Sequence, residues 1–227
     1  MSRVIVKICG LKREKDVHMC MELEVDILGF VTGYPLPVPW NLSRSEILPL
    51  LGMVRAPYKS CIVTGGAPEK VIKLASDLRP AMIQLHYKET LEDTAIISAA
   101  LKELNIDVIK TVPPAAPDRS SQFGTADIAT IVEELCKTNV YGLLADSRVP
   151  SNASEKGSKV DLRFCSQIIS LSSKPVIIAG GINADNVSEL LAQTGAGFID
   201  IMTGVESRPG AKDAGLLSRL LTSVRNS

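Results

Sequence analysis

Aromatic residues are scarce in this chain of 227 residues: one Trp, four Tyr and four Phe make up 4%. Histidine is scarcer still, at His18 and His86. Two imidazoles exclude a histidine-rich metal cluster. The five cysteines, Cys9, Cys20, Cys61, Cys136 and Cys165, show no C-x-x-C spacing. An odd, scattered set of thiols fits reduced side chains better than a disulfide framework or a zinc site, so no metal is expected. Charge of one sign is lacking as well, since 25 Lys and Arg balance 25 Asp and Glu. Nucleic acid would need a basic stripe to displace counterions from phosphates, and no dense Lys/Arg run is present, so no nucleic-acid partner is expected. No apolar run approaches the roughly 18 to 20 residues that span a bilayer. The opening MSRVIVKICG lacks the apolar h-region and cleavage site of a secretory signal. The expectation is therefore a cytoplasmic protein without a membrane partner.

What is present is a hydrophobic share of 45% against a charged share of 22%, ordinary for a folded globule. Short β-branched runs recur at Arg3–Ile8, Asp26–Val31, Ser60–Thr64, Ala81–Leu85, Asp107–Val112, Val140–Ala145, Pro175–Ala179 and Gly197–Ile201. They are apolar on both faces, as strands are when a parallel sheet is covered on both sides. Helical patterns fill the gaps at Lys12–Glu22, Ser43–Leu51, Pro68–Asp77, Thr90–Leu104, Ala126–Lys137, Asp161–Leu171, Asn183–Gln193 and Lys212–Val224. Ser43 with Glu46 has capping-box spacing, Pro68 suits a first helical position, and Asp161 and Asn183 resemble helix starts.

Eight strands alternating with eight helices predict the α/β class and a (β/α)8 TIM barrel spanning residues 1–227 as a single domain. A doubly wound open sheet shares the alternation, but the first turn reads CGLKRE instead of the glycine-rich dinucleotide fingerprint.

Barrel enzymes build their sites at the C-terminal ends of strands, and that rule selects candidates. Cys9 ends the first run and enters a glycine turn; it is a base or nucleophile if cationic neighbours stabilise the thiolate, and an inert core thiol otherwise. The other four cysteines read as core filler. Asp146 ends the sixth run, either as a general acid raised by desolvation or as a loop cap. Gly180 and Gly181 follow the seventh run, and Thr203 and Gly204 the eighth. Glycine turns there let backbone amides approach an anion, so they are candidate phosphate ligands. Asp200, His86 and the inward-alternating Lys7 are candidate substrate contacts, each with an alternative structural reading: a strand-end brace for Asp200, a backbone partner for His86, and a carboxylate partner for Lys7.

At Lys7-Ile8-Cys9-Gly10-Leu11 the sequence begins to resemble phosphoribosylanthranilate isomerases, and the likeness runs to the end. Gln84-Leu85-His86 resembles the family's QLHG, with Tyr87 in place of glycine. Leu143 through Ser147 resembles LLxDS, Ala179 through Val187 resembles AGGLNPENV, and Asp200 through Asp213 resembles DVSSGVExxPGxKD. The resemblance implies a cofactor-free Amadori rearrangement in tryptophan biosynthesis. It makes Cys9 the general base and Asp146 the general acid. It assigns the phosphate to Gly180, Gly181, Thr203 and Gly204, and sugar placement to Asp200. The implied partner is a small phosphorylated substrate. Monomer and homodimer are both open.

Two loops depart from the family. Its second loop reads close to FYPKSPRYVS, with an arginine on the anthranilate carboxylate; here the segment is Tyr34 through Ser43, and Trp40 takes the arginine's place. Trp40 either stacks on the substrate ring or packs its own proline-rich loop. Loss of such a clamp costs on the order of 1.5 to 3 kcal/mol unless another cation replaces it. Arg44, Arg148 and Lys156 are the candidates. The sixth loop, Ser151 through Leu162, reads SNASEKGSKVDL and suggests a lid. An isomerase acting on another phosphorylated aminosugar, or a silent barrel that binds a phosphometabolite, are the alternatives.

Overall fold

The computed structural model describes residues 3–146 and 160–227. Eight parallel strands form its centre: β1 (Ile5–Ile8), β2 (Ile27–Thr32), β3 (Lys59–Thr64), β4 (Met82–Leu85), β5 (Asp107–Val112), β6 (Gly142–Asp146), β7 (Val176–Ala179) and β8 (Phe198–Ile201). Each pairs with the next, and β1 pairs with both β2 and β8, so the sheet closes and has no free edge in the barrel. All eight expected strand runs form. The expected single α/β barrel is therefore the fold.

Helices α1 (Glu14–Glu22), α2 (Arg44–Met53), α3 (Pro68–Leu78), α4 (Leu91–Lys102), α5 (Ala116–Phe123), α6 (Ile128–Lys137), α7 (Leu162–Leu171), α8 (Val187–Thr194) and α9 (Ala214–Arg225) surround it. Local chemistry sets their starts. Ser43 and Glu46 form the capping box ahead of α2, with Glu46 Oε2 accepting from the Ser43 amide at 2.7 Å. Pro68 opens α3, where its missing N–H leaves no bond unmade. Asp161 caps α7 by accepting from the amides of Arg163 and Phe164, both at 3.1 Å. The seventh helical pattern, Asn183–Gln193, starts later than expected. Asn183 begins a turn in which its own amide donates to Asn186 Oδ1 at 2.9 Å, and α8 begins only at Val187.

Two departures add elements. Helix α5 lies in a proline-rich stretch that carried no helical expectation, with Arg119 donating to the carbonyls of Pro113, Pro114 and Ala126. Asn41–Leu42 makes a short parallel bridge to the end of β2, and Glu206–Arg208 pairs with Ala211–Lys212 as a hairpin after β8.

Strand alternation divides the interior in two. One set of side chains (Val6, Ile8, Leu28, Phe30, Ile62, Ile83) packs outward under the helices. The opposite set faces the barrel axis, where Ile27, Cys61, Met82, Ile109, Leu144, Ile177 and Phe198 fill the lower part. Two residues further along, the inward positions of five strands become polar: Lys7, Gln84, Thr111, Asp146 and Asp200, all buried, while β2, β3 and β7 place Gly29, Val63 and Ala179 there. This switch from aliphatic to polar marks the C-terminal mouth. Among the described residues, no helix is long and apolar enough to cross a membrane.

Candidate active site

The floor of the mouth is set by sheet register. Asp146 on β6 pairs with Ala179 on β7, Ala179 with Asp200 on β8, and Asp200 with Lys7 on β1. Four neighbouring strands therefore carry these residues at one level. Lys7 Nζ lies 2.7 Å from Asp200 Oδ2, with the lysine fully buried. Burial alone would lower the lysine pKa. The carboxylate of Asp200, with the thiols of Cys9 and Cys61, outweighs it and holds the ammonium above its ordinary range. Asp200 Oδ1, Gln84 Oε1 and Thr111 Oγ1 are buried with no hydrogen-bond partner among the described residues. Buried polar atoms are normally satisfied, so three such acceptors on inward positions near the mouth suit a polar ligand.

Cys9 stands one inward position beyond Lys7. Burial pushes its thiol up, Lys7 offsets part of that rise, and Asp200 adds to it. Room for this pair comes from Gly29 on β2. A Cβ there would sit 3.0 Å from Cys9 Cα, 3.1 Å from Lys7 Cε and 3.2 Å from Cys9 Sγ. Around Cys9 the wall is apolar: Val31, Tyr34, Val63 and Met202 pack with it, and half-buried Leu36, Val38, Trp40 and Tyr87 lie against them. Trp40 is thus part of the wall beside the thiol.

Across the mouth, Asp146 ends β6. Its Oδ2 is 3.1 Å from His86 Nε2, and both side chains are largely buried. Tyr34 Oη donates to the His86 carbonyl at 2.8 Å, which fixes the residue that faces Asp146.

Loops after β7 and β8 meet tightly. Gly180 and Gly181 have φ of 98° and 61°, in the left-handed region that side chains with a Cβ rarely adopt. Asn186 Nδ2 donates to the Gly181 carbonyl at 2.9 Å and holds this turn in shape. A Cβ on Gly204 would collide with the Ile182 carbonyl, so only glycine permits the approach of the 3-10 turn Thr203–Val205 to the preceding loop. Beneath that turn Lys212 Nζ donates to the Met202 carbonyl at 2.8 Å and to Glu206 Oε1 at 2.7 Å.

The sequence description of N-(5'phosphoribosyl)anthranilate (PRA) isomerase matches residues 6–223. The chain belongs to this family. A phosphoribosylanthranilate isomerase of Nitrobacter hamburgensis is 30% identical over 227 residues, covering 98% of this chain and 93% of that protein. One from Xanthomonas euvesicatoria pv. vesicatoria is 28% identical, covering 98% and 94%. The crystal structure of phosphoribosyl anthranilate isomerase from Thermotoga maritima superposes with a TM-score of 0.78 over all of both chains at 23% identity, a likeness of fold.

Within this phosphoribosylanthranilate isomerase barrel, Cys9, Lys7, Asp146, His86 and Asp200 converge on the mouth, and Gly180, Gly181, Thr203 and Gly204 line the adjoining loops. Arg44, a candidate carboxylate clamp, points elsewhere: it is exposed on α2 and pairs with Asp77 at 3.3 Å. Arg148, Lys156 and residues 151–159 of the lid expected at Ser151 through Leu162 lie outside the described residues. Cys20, Cys61 and Cys165 are buried core thiols and Cys136 is half-buried. Among the described residues, no cluster of His, Cys, Asp and Glu could hold a metal ion.

Sequence reasoning missed another buried ion pair. Lys110 Nζ lies 2.6 Å from Glu89 Oε2, both fully buried, and Glu89 Oε1 also accepts from the Gly66 amide at 2.9 Å. The run KETLED gave no sign that its first glutamate turns inward while the next ones start a helix.

Proposed function

We infer that this chain is an N-(5'-phosphoribosyl)anthranilate isomerase of tryptophan biosynthesis. It catalyses the cofactor-free Amadori rearrangement of N-(5'-phosphoribosyl)anthranilate to 1-(2-carboxyphenylamino)-1-deoxyribulose 5-phosphate. The observation that carries this reading is a family match across residues 6–223 coinciding with a thiol and a carboxylate at inward strand ends of one barrel mouth.

Asp146 is the general acid. It protonates the furanose ring oxygen, the C1–O bond breaks, and the nitrogen lone pair forms the C1=N bond of a Schiff base. Cys9, as thiolate, then takes the proton from C2, and that electron pair forms C1=C2 while the iminium nitrogen recovers its lone pair. Proton return to C1 and loss of the C2 hydroxyl proton give the ketone. Nearby Lys7 supplies positive charge that favours the thiolate. His86 orients Asp146, and Asp200 Oδ1 receives a sugar hydroxyl. The phosphate rests on the loops holding Gly180, Gly181, Thr203 and Gly204, where backbone amides bind an anion without a cation. Such a remote anchor holds the small sugar between acid and base. The enzyme works in the cytoplasm on this small phosphorylated substrate.

Freshly prepared phosphoribosylanthranilate is fluorescent, and its fluorescence should decay with the enzyme present. Cys9→Ala and Asp146→Asn should each abolish the decay. Negligible decay with the wild-type chain, alongside turnover of a differently charged phosphorylated aminosugar, would overturn the assignment of substrate.

A further inference from the structure

The proposed substrate carries an aromatic carboxylate, and the wall beside Cys9 is apolar, so the chain needs a cation at the edge of that wall. Most cations near the mouth are already engaged by acids: Lys7 by Asp200, Lys110 by Glu89, Lys212 by Glu206, and Arg13 by Asp16. Lys12 differs. It lies three residues beyond Cys9, is exposed, and stretches to the second loop, where Nζ donates to the Pro39 carbonyl at 2.7 Å. Pro39 immediately precedes Trp40. The lysine side chain also approaches the eighth loop, because a Cβ on Gly210 would lie 3.7 Å from its Cδ. The ammonium therefore sits where three loops meet, next to the tryptophan end of the apolar wall. It has three donors, and a backbone carbonyl uses one of them.

We propose that Lys12 is the specificity residue for the substrate's ring carboxylate, with Trp40 forming the apolar face against the ring. This rests on the isomerase reading above. The second loop then contributes surface and the first loop contributes charge, with the Lys12–Pro39 hydrogen bond keeping the two in register. A lysine binds as a point charge and tolerates a range of carboxylate angles, unlike the two-pronged grip of an arginine.

Steady-state kinetics on two substrates test the assignment: the anthranilate compound and its carboxylate-free counterpart, N-(5-phosphoribosyl)aniline. Lys12→Met should raise KM for the anthranilate compound about tenfold, with kcat changed far less, because a charge-assisted contact made equally in ground and transition states is lost. Lys12→Arg should recover most of that loss. On the aniline compound the KM penalty of Lys12→Met should vanish. An equal penalty on both compounds would make Lys12 a loop brace only, and no penalty on either would remove it from recognition. Each of these overturns the proposal while wild-type turnover leaves the isomerase reading standing. Wild-type inactivity on both compounds overturns the two together.

Discussion

Lys7 and Asp200, 193 positions apart in the chain, share an ion pair at 2.7 Å that leaves the second oxygen of Asp200 buried without a hydrogen-bond partner among the described residues. The pair joins β1 to β8, and the charge of Asp200 acts on the Cys9 thiol. Its stability consequence is asymmetric. Lys7→Met should destabilise the fold by about 3 to 5 kcal/mol, because Asp200 is left as an uncompensated buried charge. Adding Asp200→Asn should restore a large part of that loss. Urea titration of the two variants and the wild type measures both effects, and a single variant as stable as the wild type would rule the account out.

The thiol sets a pH dependence whose sign follows from its environment. Burial raises the Cys9 pKa in the folded chain, so the thiol is mostly protonated at neutral pH. A base must first lose that proton, and kcat/KM should therefore climb as pH rises from neutrality toward the thiol range. The same shift acts on stability in the opposite sense. A folded-state pKa raised above the unfolded value favours the fold below the unfolded pKa, and that contribution is lost as pH climbs through the folded one. A pH profile of kcat/KM reports the free enzyme. A profile that falls steadily above neutrality would exclude Cys9 as the base.

His86 touches Asp146 and through it acts on the ring-opening step. His86→Ala removes the 3.1 Å contact, and kcat should fall about ten- to a hundredfold, the range for losing one hydrogen bond to a charged group. KM should move much less, since the phosphate anchor is untouched. A variant whose KM rises while kcat holds would show His86 binding substrate directly.

Much of this was legible in the sequence because it is local. All eight strand runs were visible as β-branched segments, and Cys9, Asp146 and the glycine pairs follow from the rule that barrel sites sit at strand ends. Helix α5 was not legible, since Pro113, Pro114 and Pro117 mask a segment whose two ends Arg119 ties together through carbonyls five to seven positions away. The Glu89–Lys110 pair and the reach of Lys12 to Pro39 were hidden for a different reason. Each joins residues more than 20 positions apart, and alternation along one strand says nothing about which neighbour is met.

Gly204 gives the phosphate loops their closeness. Gly204→Ala should force the turn away from the Ile182 carbonyl and weaken binding of the phosphate end. KM should rise by about tenfold or more, and inorganic phosphate should inhibit less strongly, on the scale of one or two charge-assisted bonds. Competition kinetics with phosphate would show this. Unchanged inhibition would place the anion elsewhere.

Closure of the barrel between β8 and β1 has a consequence for how the molecule comes into being. Lys7 and its neighbouring thiol are synthesised 193 positions ahead of the Asp200 counter-charge. Competence therefore arrives only when β8 docks beside β1. A truncated product lacking that strand would contain the base and the acid and still be inert.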